Sequence, residues 1–352
     1  MALNFLSITY LFVAIVLVLI MILIASRVCL QLTLRLGLVD TPGSASHKLH
    51  KVPTPVAGGL ALLAVMLLSA WLFGTYLNRE ILATFVAVLL VFAFGLWDDF
   101  QNLPPSIKLI GQILAAILLI ILGVYIQVFE SPEFLIQVAS PYDLYLDWFF
   151  TIFWVVGITN AFNFVDSMDG LAVGLGAIAS GFFMLMTYTA QQPQLALQCA
   201  LLLGICAGLY FFNSPPAFFF LGDSGSQTLG FVLAVIAIIY NPIGAEQSSS
   251  YLVPILVLGL PIFDIILVIK SRLSRRQPIY RADSDHTYHR LVSLGLDSNH
   301  AVLTMQLVAL LLGSLAFIAL SQQPVVANAI FAVCLVAGVI FVGVLDRKKR
   351  KN

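Results

Sequence analysis

The chain has 352 residues, of which 61% are hydrophobic and 10% charged, and its mean hydropathy is +1.02. That balance excludes an ordinary soluble domain, and a formal net charge of zero leaves no Lys/Arg excess for a nucleic-acid partner. Four cysteines with no C-x-x-C pair argue against a disulfide framework or a thiolate metal site.

A membrane crossing needs about 20 apolar residues. Eleven segments qualify, centred near Val16, Met66, Val88, Ala116, Trp154, Gly181, Leu203, Ala234, Leu258, Leu310 and Ala337. The first has no Lys or Arg before Arg27, so it reads as a retained helix and not as a cleaved leader. Eleven crossings require the basic residues to follow the odd-numbered ones. Arg27, Arg35, Lys48, Lys51, Lys108, the cluster from Lys270 through Arg290 and the tail from Arg347 to Lys351 all do, and Arg79 alone falls on the other side. The expected fold class is therefore all-α, a polytopic bundle of about eleven transmembrane helices with the N-terminus outside and the C-terminus in the cytoplasm. One domain spans 1–346, and 347–352 is a basic cytoplasmic tail. The stretch "FESPEFLIQVASPYDLYLD", with four carboxylates and no base, reads as an external loop.

Five polar loops fall on the side assigned to the cytoplasm, and a helix bundle builds a site by such convergence. In "DTPGSASHKLHKVPTPVAGG" (40–59), Lys48 and His50 are candidate phosphate contacts. "GLWDDFQNLPPSIKLIGQ" (95–112) carries Asp98, Asp99 and Lys108. Adjacent carboxylates repel, so the acidic pair is either solvated at a helix end or poised to take a proton or a cation.

In "NAFNFVDSMDGLAVG" (160–174), Asn160, Asn163, Asp166 and Asp169 recur every three residues. One such Asp is an ordinary helix cap, whereas four polar residues in helical register form a stripe. "FFNSPPAFFFLGDSGSQTLG" (211–230) supplies Asn213 and an Asp223 set between glycines, where a phosphate or hydrated cation can approach the backbone. The span "LGLPIFDIILVIKSRL" contains Asp264, either a functional intramembrane carboxylate or an interhelical hydrogen bond. The last loop (270–296) brings His286, His289 and Arg290. The H-x-x-H pairs, His47/His50 and His286/His289, have the spacing of zinc ligands, but without Cys or H-E-x-x-H they read better as donors to phosphate.

Taken together, "GLWDD", "NAFNFVDSMDGLAVG", "FLGDSGS" and a His-containing last loop resemble the polyprenyl-phosphate N-acetylhexosamine-1-phosphate transferases, glycosyltransferase family 4. The resemblance covers roughly residues 37 to 300. It leans toward the undecaprenyl-phosphate N-acetylglucosaminyl 1-phosphate transferases and away from the phospho-N-acetylmuramoyl-pentapeptide transferases. Two departures stand out: Tyr288 occupies the middle His position of the usual H-x-H-H, and His47-Lys48-Leu49-His50 stands for R-K-x-H.

The resemblance implies Mg2+, with Mn2+ as an alternative, held by Asp223 and Asp166. It implies catalytic roles for Asp98, Asp99 and Asp166 at the phosphates. Substrate contacts are expected from Lys48, His50, Lys108, Asn160, Asn163, Asp169, Asn213, Asp264, His286, His289 and Arg290. The implied partners are a polyprenyl phosphate, undecaprenyl phosphate first among them, a UDP-N-acetylhexosamine and membrane lipids, with a homodimer as an option and no nucleic acid. The setting is a bacterial-type inner membrane, at the first membrane step of envelope polysaccharide synthesis. A secondary transporter would cluster its charges near the midplane, and a lipid-binding scaffold would need a basic surface without the acidic clusters.

Overall fold

A computed structural model describes residues 7–41, 53–131, 138–241, 252–276 and 286–349, with side chains described through 345. Helix α1 (Ile8–Leu36) starts at Ser7, whose hydroxyl accepts from the Tyr10 N–H at 3.2 Å, and stops at Gly37 in the left-handed region. There follow α2 (Gly58–Phe73), α3 (Arg79–Gln101), α4 (Pro105–Ile121), α5 (Tyr142–Val165), α6 (Leu171–Thr189), α7 (Pro193–Asn213) and α8 (Gly222–Ile239). The chain then forms α9 (Leu252–Val257), α10 (Gly259–Ser274), α11 (Thr287–Ser293), α12 (Ser298–Ala319) and α13 (Pro324–Lys349). Helix α13 thus continues three residues into the basic stretch 347–352.

Eight of these helices are long and apolar enough to cross a membrane, and α2 and α4 are shorter apolar helices. The ninth apolar segment is broken. Helix α9 ends at Val257 and α10 begins at Gly259, and Pro261 has no N–H to continue the ladder across the junction. The chain is a multi-pass helical membrane bundle, and its eight long apolar helices, α2, α4 and the α9–α10 pair coincide with the eleven apolar segments. Strand pairing is confined, among the described residues, to β1 (Val39–Asp40) against β2 (Thr54–Pro55) and a bridge from Val56 to Phe220.

Helix α8 is the axle of the bundle. Its spanning window is 78% buried, against 17% for α13 and 22% for α1, and it packs on α2, α3, α5 and α6. Where α3 crosses it, a Cβ on Gly95 would lie 2.6 Å from Ser224 Cα. Only glycine permits that approach, and the approach brings the acidic end of α3 onto the first turn of α8.

At the far end of the bundle, Asp147 on α5 is fully buried and accepts the backbone N–H groups of Val128 and Phe129, both at 3.0 Å, and Glu130 at 3.1 Å. One turn on, the Thr151 hydroxyl accepts from Ile126 N–H at 2.9 Å. These bonds satisfy a loop that would otherwise leave backbone groups unpaired at a membrane boundary.

Candidate active site

The site forms where α3, α5 and α7 end and α4 and α8 begin. Asp98 and Asp99 close the apolar run of α3, and Asn102, left-handed at φ 50°, turns the chain toward the Pro104-Pro105 start of α4. The buried Asp98 accepts from Leu103 N–H at 2.6 Å and forms an ion pair with Lys108 on the first turn of α4. Lys108 Nζ also lies 3.1 Å from Asp223 Oδ1. Asn163 donates to the same oxygen at 2.6 Å and Gln227 at 3.3 Å. Three elements therefore aim donors at one carboxylate oxygen of α8.

Asp99 does different work from Asp98. Its Oδ1 accepts from Asp223 N–H at 2.7 Å, and its Oδ2 accepts from the Ser224 N–H at 3.1 Å and hydroxyl at 2.5 Å. It is an N-terminal cap supplied to α8 from another helix. Gly222 makes room for it: at φ +77° its Cβ would stand 2.9 Å from the Asp99 carboxylate.

The polar stripe of α5 divides along its length. Asn160 donates to Gln112 Oε1 at 2.5 Å, and Gln112 donates to Gln227 Oε1 at 3.0 Å, so a buried amide ladder runs from α5 through α4 to the residue that touches Asp223. Asn163, one turn on, reaches Asp223 and Ser226. The helix ends at Val165, leaving Asp166 as its C-cap. Burial first, and then the carboxylates of Asp223, Asp99 and Asp169, hold the Asp166 carboxyl well above the usual carboxylate range. Asp169 accepts from Ala217 N–H at 3.4 Å. Asn213, almost wholly buried, takes Gly170 N–H at 3.0 Å and gives to the Phe219 carbonyl at 3.1 Å, tying the loop after α5 to the one before α8.

His286 and His289 face the same space, a cavity of about 2800 Å³ whose wall includes Asp98, Asp99, Lys108, Asp166 and Asp223. From this polar end the cavity continues between α5 and α10 along Phe153, Val156, Ile262, Ile265 and Ile269. Tyr288 is buried, its hydroxyl 3.1 Å from Ser298 Oγ. Two residues expected at the substrate stand elsewhere. Asp264 is inside α10 behind His286, and Arg290 is a fully buried side chain under α11; neither is on the cavity wall. The Asp264 carboxylate is met by Thr287 N–H and His286 Nδ1, as burial requires. Lys48 and His50 lie outside the described residues.

Gln112, Gln227, Ser224 and Arg272 are constituents that the sequence patterns did not single out. The first two stand four residues after Lys108 and Asp223, one helical turn on the same face. Arg272 offered no such spacing: its guanidinium carbon is 5.8 Å from the centre of the Phe164 ring, whose edge meets His286.

Among the described residues, no group of three or more His, Cys, Asp or Glu forms a ready-made metal cage. The donor set nevertheless suits a hard cation. The carboxylates of Asp223, Asp99 and Asp169 crowd Asp166, and Mg2+ takes one or two protein carboxylates, completing its shell with water and substrate phosphates.

A family model described as glycosyl transferase family 4 matches residues 81–241, the segment from α3 through α8 that holds the acidic cluster. A probable undecaprenyl-phosphate N-acetylglucosaminyl 1-phosphate transferase of Bacillus subtilis is 29% identical over 300 residues, covering 84% of this chain and 81% of that one. A phospho-N-acetylmuramoyl-pentapeptide-transferase of Staphylococcus epidermidis is 29% identical over 273 residues, 72% of this chain and 81% of its own. The decaprenyl-phosphate N-acetylglucosaminephosphotransferase of Mycobacterium tuberculosis is 32% identical over 323 residues, 83% of this chain and 77% of the relative. Likeness at that level and over that length, extending well beyond the acidic cluster on both sides, makes this chain a membrane enzyme belonging to glycosyl transferase family 4.

Proposed function

We propose that the protein transfers N-acetylglucosamine 1-phosphate from UDP-N-acetylglucosamine to a polyprenyl phosphate, releasing UMP. The observation that carries this is the single cavity that joins Lys108, Asp166 and Asp223 to an apolar groove along α10. A substrate with an anionic head and a hydrocarbon tail matches both halves. The names of the Bacillus and Mycobacterium relatives supply the acceptor class and the sugar.

A phosphate oxygen of the lipid attacks the sugar-bearing phosphorus of the donor. The new P–O bond forms as the bond from that phosphorus to the bridging oxygen breaks, and UMP departs with that oxygen and its electron pair. One pyrophosphate linkage replaces another, so the protein has mainly to hold two anions together against their repulsion. Lys108 meets the phosphates with its ammonium aimed by Asp98. Asp99 fixes the first turn of α8 and so places Asp223, while Asn163 and Gln227 orient the Asp223 carboxylate. Asp223 and Asp166 would hold Mg2+, with Mn2+ as an alternative, and that ion supplies charge neutralisation at the diphosphate. Lipid phosphate is anionic at neutral pH, so direct attack needs no strong base.

The one-sided distribution of Lys and Arg supports a polar end at the cytoplasmic face of a bacterial inner membrane, on the side of the UDP-sugar. The test is product identity. Purified protein with Mg2+, undecaprenyl phosphate and UDP-N-acetylglucosamine should release UMP. Release of UDP would mean attack at the anomeric carbon and defeat the proposal, whereas UMP only from another UDP-N-acetylhexosamine, or from UDP-MurNAc-pentapeptide, would change the sugar and keep the reaction.

A further inference from the structure

The family match ends at residue 241, before a further buried carboxylate. Asp264 is 1% exposed in α10, among residues that face lipid or apolar neighbours. A carboxylate there is retained only where both its oxygens are engaged. Oδ1 accepts from Thr287 N–H at 2.6 Å, and Oδ2 lies 2.8 Å from His286 Nδ1. Both partners sit at the start of α11, a helix of seven residues.

Anchoring that short helix would need only the bond to Thr287. The second oxygen does something further. A carboxylate can only accept, so Nδ1 of His286 carries the proton, and Nε2 is the nitrogen left for the cavity that the residue lines. The tilt of the ring is set independently: the Phe164 ring meets it edge-on at 5.8 Å, and Arg272 stands 5.8 Å from the Phe164 centre.

We infer that Asp264 is a positioning residue that acts on the sugar nucleotide through His286, holding Nδ1 so that Nε2 donates to a diphosphate oxygen of the donor. This rests on the proposed transferase reaction for the identity of the anion. A phosphate oxygen at Nε2 and a carboxylate at Nδ1 are together satisfied by the doubly protonated ring, whose charge Asp264 balances. In Asp264→Asn the amide oxygen can still accept from Thr287 N–H. Its NH2 would face Nδ1 as a donor, moving the ring proton to Nε2 and leaving the ring neutral.

The test is a double-mutant cycle on the full-length purified protein, read as UDP-N-acetylglucosamine affinity by titration calorimetry. Asp264→Asn and His286→Gln should each weaken binding about tenfold, the difference between a charge-assisted and a neutral hydrogen bond. The double variant should be no weaker than His286→Gln alone, because Asp264 has no other route to the donor. Unchanged affinity in Asp264→Asn, or a full additional loss in the double variant, would overturn the inference.

The 15N spectrum of His286 in the unliganded wild type gives a second readout that needs neither a variant nor the donor. It should show Nδ1 protonated, and a ring protonated only at Nε2 would overturn the pair outright. A wild-type protein that bound no UDP-sugar would defeat the transferase reading and the phosphate role of His286 with it, while the nitrogen spectrum would still decide the pair.

Discussion

Asp98 and Asp99 are adjacent in sequence and successive on α3, so their carboxylates leave the helix about 100° apart, and that rotation separates their tasks. One turns to Lys108 and the other to the first turn of α8. Sequence motifs made the pair visible as a unit, because adjacency is all that a string of letters records. Its division needed the partners, which lie 124 residues away in the case of Asp223. Asp223 itself was legible from its setting between glycines, and the donors gathered on its Oδ1 give the first prediction. Asp223→Asn keeps the shape and removes the charge, so UMP release should fall at least about a hundredfold, the scale of one lost preorganised electrostatic contact. Near-normal turnover with unaltered magnesium dependence would remove Asp223 from the reaction.

Asp166 gives the second prediction at this scale. With its carboxyl held above the usual range by burial and by Asp223, Asp99 and Asp169, a proton and a cation compete for it. Lowering the pH through that raised range favours the proton, so the magnesium concentration for half-activation should rise, by at most about tenfold per pH unit for one proton displaced by one ion. Above the range the dependence should flatten. Titrating magnesium at several pH values checks this, and an identical slope in Asp166→Asn would assign the competing proton to another group.

Among the elements, the apolar segments were readable from hydropathy because a membrane imposes one length on them, whereas the break between α9 and α10 was not. What hydropathy cannot carry is a side chain that works for a loop. Asp147 illustrates this: in "YDLYLD" it looks like one more solvated charge near a helix start, yet it is buried under a loop whose N–H groups it collects. The amide ladder of Gln112, Asn160 and Gln227 was hidden for a similar reason, since polar residues in apolar helices declare themselves only when their partners on other helices are known.

Asp147→Ala should leave three N–H groups without their acceptor and cost about 3 kcal/mol of stability, given ~1 kcal/mol or more for each bond lost at a buried site. Thermal unfolding of the purified protein would register this. Turnover per folded molecule should stay within about twofold, because the bonds lie at the end of α5 opposite Asn163. A collapse of turnover with a normal melting temperature would show that the far loop communicates with the polar end.

For the whole molecule, eleven crossings would set the termini on opposite faces, with the helix ends that build the site all on the face where α13 finishes. The hydropathy pattern assigns sixteen of the 17 Lys and Arg residues to that face. The exception, Arg79, opens α3 at the far face, with Nη2 3.5 Å from the Leu122 carbonyl just past the end of α4, where a cation complements the exposed carbonyls of a helix terminus. The arrangement therefore has one orientation that satisfies the membrane's charge asymmetry.

Ser140 is exposed at the far face and Ser293 is exposed just past the site histidines, so the two report opposite sides. In a background lacking Cys29, Cys199, Cys206 and Cys334, Ser140→Cys should react with an impermeant thiol reagent on intact cells. Ser293→Cys should react only after the membrane is opened. The reverse pattern would invert the bundle and place the proposed site away from the nucleotide-sugar pool. Labelling of both sites in intact cells would mean an even number of crossings between them, whereas α5, α6, α7, α8 and the α9–α10 pair carry the chain from Ser140 to Ser293 in five. Five is odd, so these two positions cannot share a face unless one of those helices fails to cross. Helix α9–α10 is the one to suspect in that event, because its break leaves two short pieces of six and 16 residues, neither of which spans about 20 residues of hydrocarbon on its own.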